Sequence, residues 1–156
     1  MVKSYQGAFI KKDKKEDEPK HISVADYMAT KLITFNEHQT IYEAMDTLMK
    51  KKISGGPVVD EDNNLIGVIS EGDCLKEIVK GKYNNSPKLP GLVKDYMATN
   101  IIHIEPETNI FEAANMFLRM RFRRFPVLKE GKLVGQISQR DIMRAVRDSQ
   151  EVNWKH

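Results

Sequence analysis

Two Ser-x-x-Asp pairs have the types and spacing to do chemistry in this chain: Ser70 with Asp73, and Ser138 with Asp141. Each pair stands where a short apolar run passes into a helical pattern. There, a Ser at the N-cap and a carboxylate three residues on can satisfy the orphan amides of a helix start. The same geometry also suits a ligand. A carboxylate so placed can accept two hydrogen bonds from the vicinal hydroxyls of a ribose. The neighbouring hydroxyl and amides can receive a phosphate, which the positive end of a helix favours. Asp is shorter than the Glu or Gln usual in a capping box, and both copies carry it. On the residues alone, cap and ligand acceptor both stay open.

Other groups offer less. Arg123 and Arg124 precede Pro126, and their fork geometry suits phosphate oxygens, or equally acids on a neighbouring subunit. Arg140 beside Asp141 is either a ligand contact or an intrahelical partner. His21, His38, His103 and His156 have no metal-ligand spacing with Cys74 or each other. Cys74 follows Asp73 at a helix start, where a thiol can be acidic, but no His is placed beside it in sequence. Each Ser-x-x-Asp pair offers a single aspartate, which cannot form a paired acid and base, so catalysis is not expected.

The elements that must position these residues come in two copies. Val24-Ala25-Asp26-Tyr27-Met28-Ala29-Thr30 returns as Val93-Lys94-Asp95-Tyr96-Met97-Ala98-Thr99. At the same offset Ile41 matches Ile110 and Pro57-Val58 matches Pro126-Val127; one residue then drops out, and Ile69-Ser70 matches Ile137-Ser138. Each unit predicts a strand (32–35 or 101–104) and a helix whose apolar face is Ile41, Ala44, Met45 and Leu48, or Ile110, Ala113, Ala114 and Phe117. Thr40 and Asn109 stand as N-caps. Two strands follow (57–59 and 65–69; 126–128 and 133–137), and a second helix closes each unit (72–80 and 139–147). One unit is too small to bury a stable core alone, whereas two packed together bury what neither could.

These residues resemble the cystathionine-β-synthase-type (CBS) repeat. The resemblance rests on Val24-x-Asp26-x-Met28 and Val93-x-Asp95-x-Met97, on Pro57-Val58-Val59-Asp60 and Pro126-Val127-Leu128, and on the Gly-x-hydrophobic-Ser-x-x-Asp runs Gly67–Asp73 and Gly135–Asp141. It covers Ile22 to Arg147. It implies an α+β fold in which two tandem repeats (strand-helix-strand-strand-helix) pack with pseudo-twofold symmetry, without an attached enzyme domain. The expected organisation is an N-terminal tail over 1–20, repeat 1 over 21–80, a linker over 81–92, repeat 2 over 93–148 and a C-terminal tail over 149–156.

The resemblance further implies an adenosine-containing ligand (AMP, ADP, ATP or S-adenosylmethionine) in two clefts, with no cofactor required. In the first, Ser138, Arg140 and Asp141 would face Thr30, Ile33, Ser54 and Gly55. In the second, Ser70 and Asp73 would face Thr99, Ile102, Phe122, Arg123 and Arg124. Ser54-Gly55-Gly56 against Arg123-Arg124-Phe125 predicts unequal clefts, the second suited to a more highly charged nucleotide unless Arg124 and Phe125 fill it. The reading is of a regulatory module that forms a homodimer through its helical faces and signals to an effector protein. A ligand-independent dimerisation scaffold is the alternative.

Composition agrees with a globular, cytoplasmic protein. Of 156 residues 40% are hydrophobic and 30% charged, the net charge is +3, and a single cysteine precludes an internal disulfide. No apolar run approaches the ~20 residues of a membrane span, and no secretory signal is read at the N-terminus. From Arg119 onward ten basic residues face four acidic ones. That imbalance suits an anionic partner, although interspersed signs make nucleic acid a poor candidate.

Overall fold

A computed structural model describes residues 21–84 and 89–154; the expected N-terminal tail (1–20), residues 85–88 of the linker, and residues 155–156 lie outside it. In repeat 1, β1 (Phe35–Asn36) is followed by α1 (Ile41–Lys51), β2 (Gly55–Val59), β3 (Leu65–Ser70) and α2 (Glu71–Asn84). A one-turn helix, α3 (Val93–Tyr96), opens the second half, followed by α4 (Ile110–Met120), β4 (Arg124–Lys129), β5 (Lys132–Ser138) and α5 (Gln139–Trp154). The fold is α+β, and its two halves follow the same order from the first long helix onward, helix, strand, strand, helix.

The helices form where the sequence dictates. Thr40 Oγ1 accepts from the Glu43 amide and Glu43 Oε1 from the Thr40 amide, a reciprocal cap at 3.1 and 2.9 Å. Asn109 caps α4 through the Phe111 amide at 2.8 Å. Both helices end in a left-handed residue, Lys52 and Arg121. The closing helices run longer than expected, to Asn84 and Trp154 rather than Lys80 and Arg147. Gly81 weakens the helix without ending it.

Each half builds one hairpin, β2 antiparallel to β3 and β4 antiparallel to β5, with a register shift at matching places, Val58/Val59 and Val127/Leu128. The expected first strands shrink. Only Phe35 and Asn36 pair, parallel to Val58 and Val59, and in the second half a lone bridge joins Ile104 to Val127. The two hairpin turns hold each other, since the Leu133 amide donates to the Asn63 carbonyl and Lys132 Nζ to the Asp62 carbonyl.

The opening arm of each unit belongs to the other unit's core. Val24 is fully buried among Ile104, Ile110, Phe117 and Ile137, while Val93 is fully buried among Phe35, Ile41, Leu48 and Ile69. Backbone bonds make the exchange reciprocal. Val24 N–H donates to Thr108 O and Ala29 pairs with Gln136; Val93 N–H donates to Gln39 O and Ala98 pairs with Val68. Met28 lies so close over Gly135, and Met97 over Gly67, that no Cβ would fit beneath either thioether. Asp26 and Asp95 close these arms by accepting from the Ser23 and Leu92 amides.

The cores trade volume between halves. Phe35 lies against Gly56, where an added Cβ would come within 2.8 Å of its ring. At the matching positions the second half has Ile104 and Phe125, with Phe125 buried against Phe117 at 4.6 Å between ring centroids. Large beside small becomes small beside large, which conserves packing.

Candidate functional site

The arms, hairpins and closing helices meet along the line between the repeats. Both Ser-x-x-Asp pairs form the reciprocal cap. The Ser70 amide donates to Asp73 Oδ2 at 2.8 Å and the Asp73 amide to Ser70 Oγ at 3.4 Å. The Ser138 amide donates to Asp141 Oδ2 at 2.9 Å and the Asp141 amide to Ser138 Oγ at 3.2 Å. One carboxylate oxygen in each copy is therefore committed to its helix start.

The other oxygen distinguishes the copies. Arg144 Nη1 donates to Asp141 Oδ1 at 3.1 Å, its Nη2 donates to the Tyr27 carbonyl at 3.1 Å, and the guanidinium lies 5.5 Å from the Tyr27 ring centroid. Asp141 is thus tied to the exchanged arm. In repeat 1 the matching residue is Lys76, whose ammonium stands 3.8 Å from Asp73 Oδ1. The arm there is fixed elsewhere: Tyr96 Oη donates to buried Glu77, which also accepts from the Gly91 amide.

A cavity of about 290 Å³ opens between the repeats. Ala29, Lys31, Leu32 and Ile33 wall it on one side with Ile53 and Gly55; Arg124, Gln136, Ser138 and Asp141 wall it on the other. Of the residues expected in the first cleft, Ile33, Gly55, Ser138 and Asp141 meet here. Ser54 lies in the neighbouring cavity, and exposed Thr30 and Arg140 line neither. Ala29, Lys31, Leu32, Ile53 and Gln136 join the lining from outside the expected set, and Arg124, expected in the second cleft, stands on this wall too. Gln136, a polar residue at the strand position that repeat 1 gives to Val68, was the legible signal.

The neighbouring cavity, about 300 Å³, is walled by Ser54, Gly55, Gly56 and Ser70 from repeat 1, and by Phe122, Arg123, Arg124 and Gln136 from repeat 2. Ser70, Phe122, Arg123 and Arg124 therefore come together, whereas Asp73, Thr99 and Ile102 do not reach this wall. Phe125 does not fill the opening, because it is spent in the core. Gly55 borders both spaces, and a side chain there would run into the Ile69 carbonyl, 2.6 Å from its Cβ. Both volumes sit at the lower end of the small-molecule range.

Cys74 departs from the acidic thiol that its helix-start position suggests. Burial, then the charges of Asp73 and Glu71, push it above the ordinary thiol range. It borders a third space of about 350 Å³ between α1 and α2, lined by Met45, Leu48, Met49, Leu75 and Ile78. Among the described residues no group of three His, Cys, Asp or Glu side chains could hold a metal ion, and no helix is long and apolar enough to cross a membrane.

The fold has counterparts among known proteins. The CBS domain family model matches residues 24–80 and 93–148. The chain is 32% identical over 130 residues to CBS domain-containing protein CBSX1, chloroplastic, of Arabidopsis thaliana, a match covering 68% of the chain and 55% of that protein. It is similar to the crystal structure of CBSX2 in complex with AMP, at 30% identity and a TM-score of 0.71 over 82% of this chain and 98% of that one. It is also similar to the CBS domain pair of MJ0100 in complex with 5′-methylthioadenosine and S-adenosyl-L-methionine, at 25% identity and a TM-score of 0.63 over 80% and 99%. The chain spans about half the length of such curated relatives.

Proposed function

The chain belongs to the CBS-domain family, and from that membership we propose that it is a regulatory module binding adenosine-containing ligands between its repeats and relaying their occupancy to a partner. CBS pairs are regulatory rather than catalytic modules. The carrying observation is the 290 Å³ cavity, where Ser138 and Asp141 of one repeat face Ile33 and Gly55 of the other. Ile33 and Ile53 offer apolar walls to a base, and Gly55 permits close backbone approach. Asp141 is the acceptor for the ribose hydroxyls, and Lys31 and Arg124 are the cations for a phosphate. The CBSX2 structure with AMP and the MJ0100 structure with S-adenosyl-L-methionine support an adenosine ligand.

The neighbouring cavity brings Arg123 and Arg124 to its wall with no carboxylate among its lining residues, which supports a more highly charged nucleotide there. Relay has a route. The wall Ala29–Ile33 continues the arm that buries Val24 in repeat 2, so a ligand displacing that wall pulls on the opposite core. Calorimetric titration with AMP, ADP, ATP and S-adenosylmethionine tests the reading. Binding of at least one, weakened in Asp141→Ala, is expected. No binding up to millimolar concentration, with Asp73→Ala and Asp141→Ala equally silent, overturns it.

A homodimer through the helical faces is proposed with it. Repeat 1 exposes Met49 (72%) and Leu75 (59%), and repeat 2 exposes Leu118 (78%) and Met143 (64%) at matching places on its helices. Exposed apolar side chains at matching places on both halves suit a self-complementary partner. Sedimentation velocity is expected to show a dimer that Leu118→Glu dissociates. A monomer at tens of micromolar in the parent chain overturns this part.

A further inference from the structure

We propose that the two clefts share one guanidinium: Arg124 serves both, so the first anionic ligand takes it and the second binds without it. This rests on reading the clefts as sites for nucleoside phosphates. Arg124 is the one cation on the walls of both cavities. Lys31 lines only the first and Arg123 only the second.

The pseudo-symmetry explains why a single side chain is shared. Arg124 pairs with Ser138 in its hairpin as Gly55 pairs with Ser70 in the other. A faithful duplication would set one guanidinium on each hairpin, one per cleft. Repeat 1 has glycine instead, and the Ile69 carbonyl 2.6 Å from a Cβ at that position forbids a side chain. Arg124 therefore stands opposite a bare position, on the partition between two spaces. Among the described residues no carboxylate stands within ion-pair distance of its guanidinium, and the one carboxylate on the walls of the two cavities, Asp141, is paired with Arg144 instead.

A cation that can face either way gives its hydrogen bonds once. Two phosphates at this partition also repel each other, so occupancy of one cleft weakens the other. A charge-assisted hydrogen bond from an exposed arginine changes affinity by roughly tenfold.

Two backgrounds isolate the sharing. Lys31→Gln weakens the first cleft, so AMP enters the second cleft first; Arg123→Gln does the reverse. Adding Arg124→Gln is expected to weaken the first calorimetric step for AMP about tenfold in both backgrounds, and Arg124→Lys to restore most of it. Adenosine, which has no phosphate, is expected to bind alike with and without Arg124. A loss in one background only overturns the sharing and leaves the nucleotide reading intact. Failure of the parent chain to bind AMP, ADP, ATP or S-adenosylmethionine overturns the nucleotide reading, and the sharing with it.

Discussion

Asp141 has two jobs that substitution can separate. In Asp141→Ala the cap to the Ser138 amide (2.9 Å) and the Arg144 contact (3.1 Å) are both lost. Loss of such a cap costs about 1 kcal/mol. The arginine is 42% exposed, so its pair contributes a few tenths of a kcal/mol at most after screening. The total, about 1–1.5 kcal/mol, corresponds to a fall of roughly 3–6 °C in melting temperature for a domain of this size. Asp141→Asn keeps an acceptor oxygen for the Ser138 amide and is expected to lose less than half of that. Ligand binding orders the variants differently. Hydrogen bonds from a ribose to a charged acceptor are each worth about 1.5–3 kcal/mol, so both variants should weaken AMP binding at least tenfold. Melting curves and calorimetry on the same samples give the two readouts. If Asp141→Ala melts lower but binds AMP like the parent, the aspartate is a cap and nothing more, and its assignment as a ribose acceptor is refuted.

Three further outcomes follow from the packing. Val24→Ala should cost about 2 kcal/mol, and hydrogen exchange should report the loss in α4 and α5 before α1 and α2; the opposite order would contradict the exchanged arms. Gly56→Ala should cost about 1–3 kcal/mol through its clash with the Phe35 ring, and Phe35→Leu in the same chain should recover part of it in thermal melts. Stability should fall in alkali. Burial raises Cys74 and, with Asp148 and Glu77 respectively, raises Tyr27 and Tyr96 above their ordinary values of 9.0 and 10.0. Each neutral form is thus favoured in the folded chain, so its contribution is complete below pH 9 and is lost as pH climbs through the raised values. Denaturant midpoints at pH 8 and pH 10.5 check this, and a midpoint that holds or rises counts against it.

Local patterns were legible because they depend on neighbours in sequence. The spacing of Ile41, Ala44 and Leu48 and the cap at Thr40 are settled within one turn of helix, and the duplicated register carried the same assignment to Ile110 and Asn109. The Ser-x-x-Asp spacing likewise announced a cap that the backbone forms in both copies. What stayed hidden depends on which unit a segment meets. Val24 and Val93 read as openings of their own repeats, because nothing in a linear pattern says that an apolar residue packs across a pseudo-axis. For the same reason the segments after Thr30 and Thr99 read as full strands, although their arms first pair with the opposite repeat. The sequence assigns Arg124 to one cleft; the glycine at position 55 is legible there, but that the two spaces lie side by side with Arg124 on both walls is a property of the packed hairpins.

The crossing of the opening arms constrains how the molecule is made. A nascent chain leaving the ribosome completes α1, β2, β3 and α2 while the position filled by Val93 is still vacant. The second half, in turn, folds onto a plug, Val24, that was synthesised before it. Neither half can reach its final stability as an isolated fragment, so a chain cleaved between α2 and α3 should be rescued when its two pieces are mixed.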